Sequence, residues 1–388
     1  MEGPIVADNG DVWGCKMRMY VHTNVPSPYR KHQCELIVRE FPGSRFYFHR
    51  KQSSFRPWSD SLDGWPQGSC HAGWLTQLKD LIFQPWGSAH LFASCAEGVA
   101  KNLVMKFFLA VSASIGHSKV LVWNDAGFPS EVKDSKRAVM RWFHRWCNKQ
   151  FGVFTPGKLG KRFSMAQGFG EDKIVNAYFS HDVASYAAFR DTKGEAARVE
   201  IRNRYGIRDG KILILTVSRY EGLKRLIDIA EALRKVESEN PTLASRCEFM
   251  LIGEGESTDH LPVLDALRKI KVHLVKHMPP DDVMGYYCAA DMSVFASEHD
   301  IWGLVVNEAL TMGVPVICTD IVGAAEVVHE GENGFLVPVR SPKAIADAIM
   351  KLGCNDELRK RFSNNARTIE NYWRTEFGIA SLKQYLEA

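Results

Sequence analysis

The sequence lacks any uninterrupted apolar run of the roughly 18 residues that a membrane-spanning helix needs. The longest candidate, Leu103 to Gly116, is shorter and carries Lys106. It has no CxxC pair. Its nine cysteines (Cys15, Cys34, Cys70, Cys95, Cys147, Cys247, Cys288, Cys318 and Cys354) are odd in number and scattered. That argues against a disulfide framework or a structural zinc site and points to a reducing cytoplasm. The opening stretch, MEGPIVADNGDVWG, has no basic-then-apolar secretory layout. No Asp-x-Asp run, internal repeat or low-complexity tract occurs. What is present is ordinary for a globular chain: 388 residues, 45% apolar and 24% charged. At about 150 residues per domain the length points to two or three domains.

The charge is unevenly placed. Residues 1–200 carry 26 Lys+Arg against 18 Asp+Glu, whereas residues 201–388 carry 23 against 27. A basic first half suits an anionic partner such as a phospholipid surface, a lipid phosphate, a nucleic acid or an acidic glycan; drift in surface composition gives the same pattern. Two segments concentrate the positive charge. In RFYFHRKQSSFRPW, Arg45, Arg50, Lys51 and Arg56 interleave with Phe46, Tyr47, Phe48, Phe55 and Trp58. In Lys133 to Phe151, Arg137, Arg141 and Arg145 fall on one helical stripe, with Val139, Trp142, Phe143 and Trp146 mostly opposite. The second reads as a membrane-surface helix or as a core-packed helix with a basic outer face.

Strand and helix patterns alternate along the whole chain. Short apolar strands are expected at 16–22, 45–49, 89–94, 119–123 and 152–155, with a helix from about Tyr29 to Glu40. Residues 50–74, rich in Ser, Trp, Pro and Gly, read as a long loop, and loops of that length are usually functional. Residues 183–206 carry mixed charge and weak apolar pattern, and read as an inter-domain linker. A second series follows, with strands at 212–217, 248–252, 272–275, 292–296, 314–318 and 334–337 separated by helices. This spacing implies α/β architecture: two doubly wound, Rossmann-like domains built on parallel sheets. We place them at 1–190 and 191–365, with a final helix in 366–388. Ligands of such sheets sit beyond the C-terminal strand ends, here in the cleft between domains.

Four elements of the second series lie at such strand ends. SEHDIWGLVVNE places Asp300 on a turn and Glu308 inside the next helix, with the backbone N–H groups of Trp302, Gly303 and Leu304 facing the cleft. A helix N-terminus of this kind binds anions, and Gly303 permits close approach; an ordinary capped helix has the same look. VSRYEGLKRLID supplies Ser218, Arg219 and Lys224, two cations that can converge on a diphosphate or simply form a solvated basic loop. Gly253 and Gly255 mark a tight turn after the 248–252 strand, and Gly323 another in TDIVGAAE. Together these are the parts of a nucleoside-diphosphate pocket: cations, helix N-termini, glycines and a carboxylate for a ribose.

Residues 201–340 resemble the nucleotide-sugar-binding domain of the retaining GT-B glycosyltransferases of glycosyltransferase family 4. The stretches that carry the likeness are VSRYEGLKRLID, FMLIGEGE, AADMSVFASEHDIWGLVVNEALTMGVPVICTD and GENGFLVPV. The family's Glu–x7–Glu pair reads Asp300–x7–Glu308 here. VHTNVPSPYR, residues 21–30, is similar to the first loop of a subset of the family. The resemblance implies two domains facing a central cleft, a last helix crossing back to the first domain, and a nucleotide sugar as donor. It implies Glu308 at the ribose, and Arg219 and Lys224 at the diphosphate with the amides of Gly303 and Leu304. Asp300 would contact the transferred sugar, and Val275 to Met278, including His277, the nucleobase. Asp125, after the strand near residue 120, is a candidate polar group on the sugar or acceptor side. Pro28, Tyr29 and Arg30, with Arg50, Lys51, Arg56 and Trp58, are candidate acceptor contacts. No metal and no cofactor is expected, because Arg219 and Lys224 supply the charge at the leaving group. Asp300 is one methylene shorter than the family's Glu, which bears on donor choice.

The acceptor divides the readings. A lipid-linked or polysaccharide glycan at a membrane's inner face fits the basic first half. Sugar transfer to a modified base in DNA fits basic segments interleaved with aromatics. A sugar-nucleotide epimerase and a non-catalytic sugar-nucleotide-binding subunit are further classes that use the same pocket.

Overall fold

The computed structural model describes residues 17–23, 27–48, 62–71, 77, 79, 82–83, 86–93, 99–123 and 146–388. Two parallel sheets organise them. The first contains β1 (Met19–Thr23), β2 (Arg45–Phe48), β3 (Ser69–His71), β4 (Ser88–Ala93), β5 (Ser118–Trp123), β6 (Gly152–Thr155) and β7 (Ile174–Asn176) in the order β3-β2-β1-β4-β5-β6-β7. The helices that go with it include α1 (Pro28–Glu40), α2 (Val99–Ser114) and α3 (Gly157–Ala166). α1 starts where Ser27 caps the Arg30 amide at 3.3 Å, with Pro28 in the first turn.

Residues 183–206, expected as a linker, are instead the 23-residue helix α4 (Val183–Tyr205). Asp182 caps its start, and Gly206, at φ 65°, ends it. Its apolar periodicity is weak because arginines anchor much of it. Arg198 and Arg202 reach Asp291 at 2.8 and 3.3 Å, and Arg190 donates to Thr311 O at 2.6 Å. Such a face leaves little hydrophobic pattern in a sequence.

The second sheet contains β8 (Ile212–Val217), β9 (Cys247–Ile252), β10 (Lys271–Val275), β11 (Met292–Phe295), β12 (Val316–Thr319) and β13 (Gly334–Val337) in the order β10-β9-β8-β11-β12-β13. Around it lie α5 (Leu226–Glu239), α6 (Pro280–Ala289), α7 (Leu304–Thr311), α8 (Pro342–Gly353) and α9 (Asp356–Ala366). β8 and β9 read ILILTV and CEFMLI, and almost every residue is buried. Continuous apolar strands are what a parallel sheet covered on both faces requires. The strand order reverses between β8 and β11, so the loops after those two strands flank the switch-point crevice.

The last helix, α10 (Thr375–Glu387), returns to the first domain. Ile379, Leu382 and Leu386 join its core beside Phe154 and Val175. Just before α10, the Trp373 ring stacks on Trp302 with centroids 4.7 Å apart, and its Nε1 donates to Phe179 O at 3.1 Å. β3 and β7 had no counterpart among the expected strands, since three-residue edge strands carry too little alternation to register.

Trp373 therefore touches the loop before α7 and the segment joining the domains. Trp373→Ala is expected to cost about 3–5 kcal/mol in urea unfolding. A loss under about 1 kcal/mol would mean that this stack does not hold the junction.

Candidate functional site

The loops after β8 and β11 are tied to each other by hydrogen bonds. Leu223 O accepts from Glu298 N at 2.9 Å and from Ser297 Oγ at 3.1 Å. The Glu298 carboxylate pairs with Arg340 at 2.7 Å and lies 3.7 Å from Arg225. The Arg340 hydrogen bond and the two guanidinium charges hold its carboxyl below the usual carboxylate range. This clamp presses Lys224 onto Asp300. The two form an ion pair through Nζ and Oδ2, with side chains only 12% and 21% exposed. Asp300 Oδ1 also accepts the Trp302 amide at 3.3 Å.

α7 begins directly beyond this pair. Gly303 sits at φ 95°, and a Cβ there would lie 2.9 Å from the Phe295 ring. The first-turn amides of Leu304 and Val305 have no partner within the helix. They follow Asp300, the partner of Lys224, by four and five residues in the chain, and such a helix start suits an anion. Gly253 serves the same crevice by another route. A Cβ there would stand 1.8 Å from Ser218 O, so the missing side chain lets the turn after β9 close on the loop bearing Ser218 and Arg219. Arg219 is about two-fifths exposed and pairs with Glu221 on its own loop. Val275 O accepts from Gly253 N at 2.9 Å, and His277 is exposed just past the end of β10.

Glu308 lies one turn into α7 and is only 2% exposed. Its two oxygens are held from two domains. Tyr287 on α6 donates to Oε2 at 2.9 Å, and Tyr29 on α1 donates to Oε1 at 3.0 Å. Burial raises the Glu308 carboxyl above its ordinary value, although both phenol hydrogen bonds pull it down. Burial, with the Glu308 charge beside it, holds the Tyr287 hydroxyl well above the usual tyrosine value.

The structure thus brings together Lys224, Asp300, Gly303 and Leu304, with Glu308 further along the same helix. The Trp302 side chain faces away from this group: its Nε1 donates to Asn307 Oδ1 at 2.7 Å and its ring stacks on Trp373, while its amide, expected to face a ligand, donates to Asp300 and its carbonyl accepts from Ala324 N at 2.7 Å. In the first domain, Pro28 starts α1, Tyr29 reaches Glu308, and the Arg30 guanidinium lies 3.7 Å over the Trp123 ring. Asp125, Arg50, Lys51, Arg56 and Trp58 lie outside the described residues, as does the 133–145 part of the basic helix.

Four contributors were not legible in the sequence. Tyr287 is one of two adjacent tyrosines on α6, and nothing in the spacing distinguishes it. Glu326 accepts from the Lys158 amide at 2.6 Å and joins the domains, but its motif suggested only a turn. Ser297 and Glu298, which clamp the β8 loop, looked like filler between strand and helix.

Residues 197–369 match the family model described as glycosyl transferases group 1. Over 182 residues the chain is 27% identical to alpha-D-kanosaminyltransferase of Streptomyces kanamyceticus, covering 46% of this chain and 45% of that one. The chain therefore spans about half the length of the curated relatives it matches. The Anabaena protein HepE, solved in complex with UDP, superposes with a TM-score of 0.72 at 15% identity, over 96% of this chain and 100% of that one. A glycosyltransferase from Rickettsia africae superposes with a TM-score of 0.70 at 17% identity, over 96% and 98%. The architecture is the GT-B fold of these structures: two Rossmann-like domains on parallel sheets.

Because folding raises the Glu308 pKa above its ordinary 4.5, the ionised carboxylate opposes folding at neutral pH. That opposition is relieved as pH falls through the folded-state value toward the unfolded one. Glu308→Gln is expected to keep or raise Tm near neutral pH, with the gain shrinking as pH approaches the unfolded-state value. A Tm several degrees below wild type at neutral pH would contradict this.

Proposed function

We propose that the protein is a glycosyltransferase of family 4 that moves a sugar from a nucleoside-diphosphate sugar to an acceptor hydroxyl with retention. The observation that carries the reading is the Lys224–Asp300 pair fixed at the open N-terminus of α7. It lies inside the segment that matches glycosyl transferases group 1. That HepE was solved with UDP and with UDP-glucose supports a nucleotide sugar as ligand.

In this reading the diphosphate lies against Lys224, Arg219 and the Gly303 and Leu304 amides. Asp300 turns from Lys224 toward hydroxyls of the transferred sugar, Glu308 takes the ribose, and the base lies along Val275 to His277. Breaking the bond between the anomeric carbon and the phosphate oxygen places negative charge on the diphosphate and positive charge on the sugar ring. Fixed cations and N–H donors stabilise the first without reorganising, and the first domain holds the acceptor oxygen in place. The acceptor oxygen bonds to the anomeric carbon on the face the phosphate leaves. Its proton passes to the departing phosphate oxygen, so no protein base is needed. Lys224 and Arg219 supply the charge that a metal supplies elsewhere.

The acceptor in this reading is a lipid-linked or polysaccharide glycan at the inner face of a membrane. Support comes from exposed apolar side chains on the first domain. Phe83, Trp86 and Ile115 are 76%, 68% and 61% exposed, and the Trp86 ring contacts His117 next to Ile115. An apolar patch on a basic domain suits an anionic bilayer better than a phosphate backbone. Among the described residues no helix is long and apolar enough to cross a membrane.

The test is nucleotide release from UDP-, GDP-, ADP- and TDP-sugars. Each is run alone, with anionic liposomes carrying lipid extract, and with hydroxymethylated DNA. Stimulation by liposomes is expected. Stimulation by DNA would reassign the acceptor, conversion of the donor sugar without acceptor would indicate an epimerase, and binding without turnover a non-catalytic subunit. Lys224→Ala is expected to lower turnover by about 10²–10³-fold with the fold intact, and Arg219→Ala to lower it as well. Wild-type rates in both would sink the pocket assignment.

A further inference from the structure

Glu308 is the carboxylate that the proposed function gives to the ribose, yet at 2% exposure no ribose reaches it in this state. Something must move first. Tyr287 is fully buried in the second domain, on a helix whose Tyr286 and Val283 also sit in the core. Tyr29 differs: it is half-buried, belongs to the opposite domain, and lies one residue into α1, just after the Ser27 cap. Its hydroxyl crosses the cleft to Oε1.

We infer that Tyr29 is a donor-gating residue. Its phenol occupies the ribose-facing oxygen of Glu308 in the donor-free enzyme, and the donor's ribose must displace it. This inference rests on the proposed ribose role of Glu308. It reassigns Tyr29 from the acceptor to the donor. The exchange is chemically even, since one hydroxyl donor to a carboxylate replaces another. Nucleotide affinity is therefore lowered by the strength of the contact it breaks. The displaced hydroxyl remains on the first domain, so donor binding removes one contact between the domains.

The experiment measures, by calorimetry, the affinity of whichever of UDP, GDP or ADP binds wild type tightest, and that of its 2′,3′-dideoxy analogue. The proteins are wild type, Tyr29→Phe, Glu308→Gln and the double variant. Tyr29→Phe keeps the ring and removes only the competing hydroxyl. It is expected to tighten ribonucleotide binding about three- to tenfold, the range of one hydrogen bond to a charged group partly offset elsewhere. It should leave the dideoxy analogue unchanged, and the gain should vanish in the Glu308→Gln background. Unchanged or weaker ribonucleotide binding in Tyr29→Phe, with Glu308→Gln still impairing binding, would overturn the gate alone. Full affinity in Glu308→Gln, or no nucleotide binding by wild type, would overturn the ribose assignment and the gate with it.

Discussion

β8 and β11 are hydrogen-bonded neighbours through Ile214–Met292 and Leu215–Ser293, although some 75 residues of chain lie between them. The Lys224–Asp300 side of the site follows from that pairing. It brings the loop carrying Ser218, Arg219 and Lys224 beside the loop carrying Ser297 to Asp300, at the point where the strand order reverses. The hydrogen bonds from Ser297 and Glu298 to Leu223 O then remove the remaining freedom. The cation at the start of α7 is therefore fixed by backbone, and the Lys224–Asp300 pair is a consequence of the sheet. A pre-positioned charge of this kind needs no rearrangement as charge develops on a leaving group.

The second constraint crosses the cleft. Tyr29 on Glu308 and Lys158 N on Glu326 span it, and Trp373 ties Trp302 to Phe179 in the segment joining the domains. Two of these contacts end on α7 or on the loop before it. Gly157, at φ 60°, has room only because it has no side chain: a Cβ would stand 2.6 Å from Glu326 and 2.8 Å from Trp302. The element that bears the candidate diphosphate amides is thus also the element on which the first domain rests.

The doubly wound second domain was legible because its strands are buried on both faces and read as unbroken apolar runs. Strand 212–217 and strand 334–337 fall at the expected residues, and the last helix lies within the expected 366–388. The 183–206 segment was not legible, because arginines paired with Asp291 and with carbonyls carry much of what apolar residues carry elsewhere. At the site, Lys224, Asp300 and Gly303 could be seen because strand-end loops are where chemistry collects. Tyr29 and Glu308 were each visible as motif residues, but their pairing across 279 positions was not. The part of Trp302 that faces the crevice is its backbone. Its indole is in the core.

The most direct test is the structure of the protein with a bound nucleoside diphosphate. The account predicts a ribose hydroxyl within hydrogen-bond distance of Glu308, Tyr29 displaced from it, and the diphosphate against Lys224 and the first amides of α7. A nucleotide bound to the second domain with Glu308 still closed between Tyr29 and Tyr287 would contradict it.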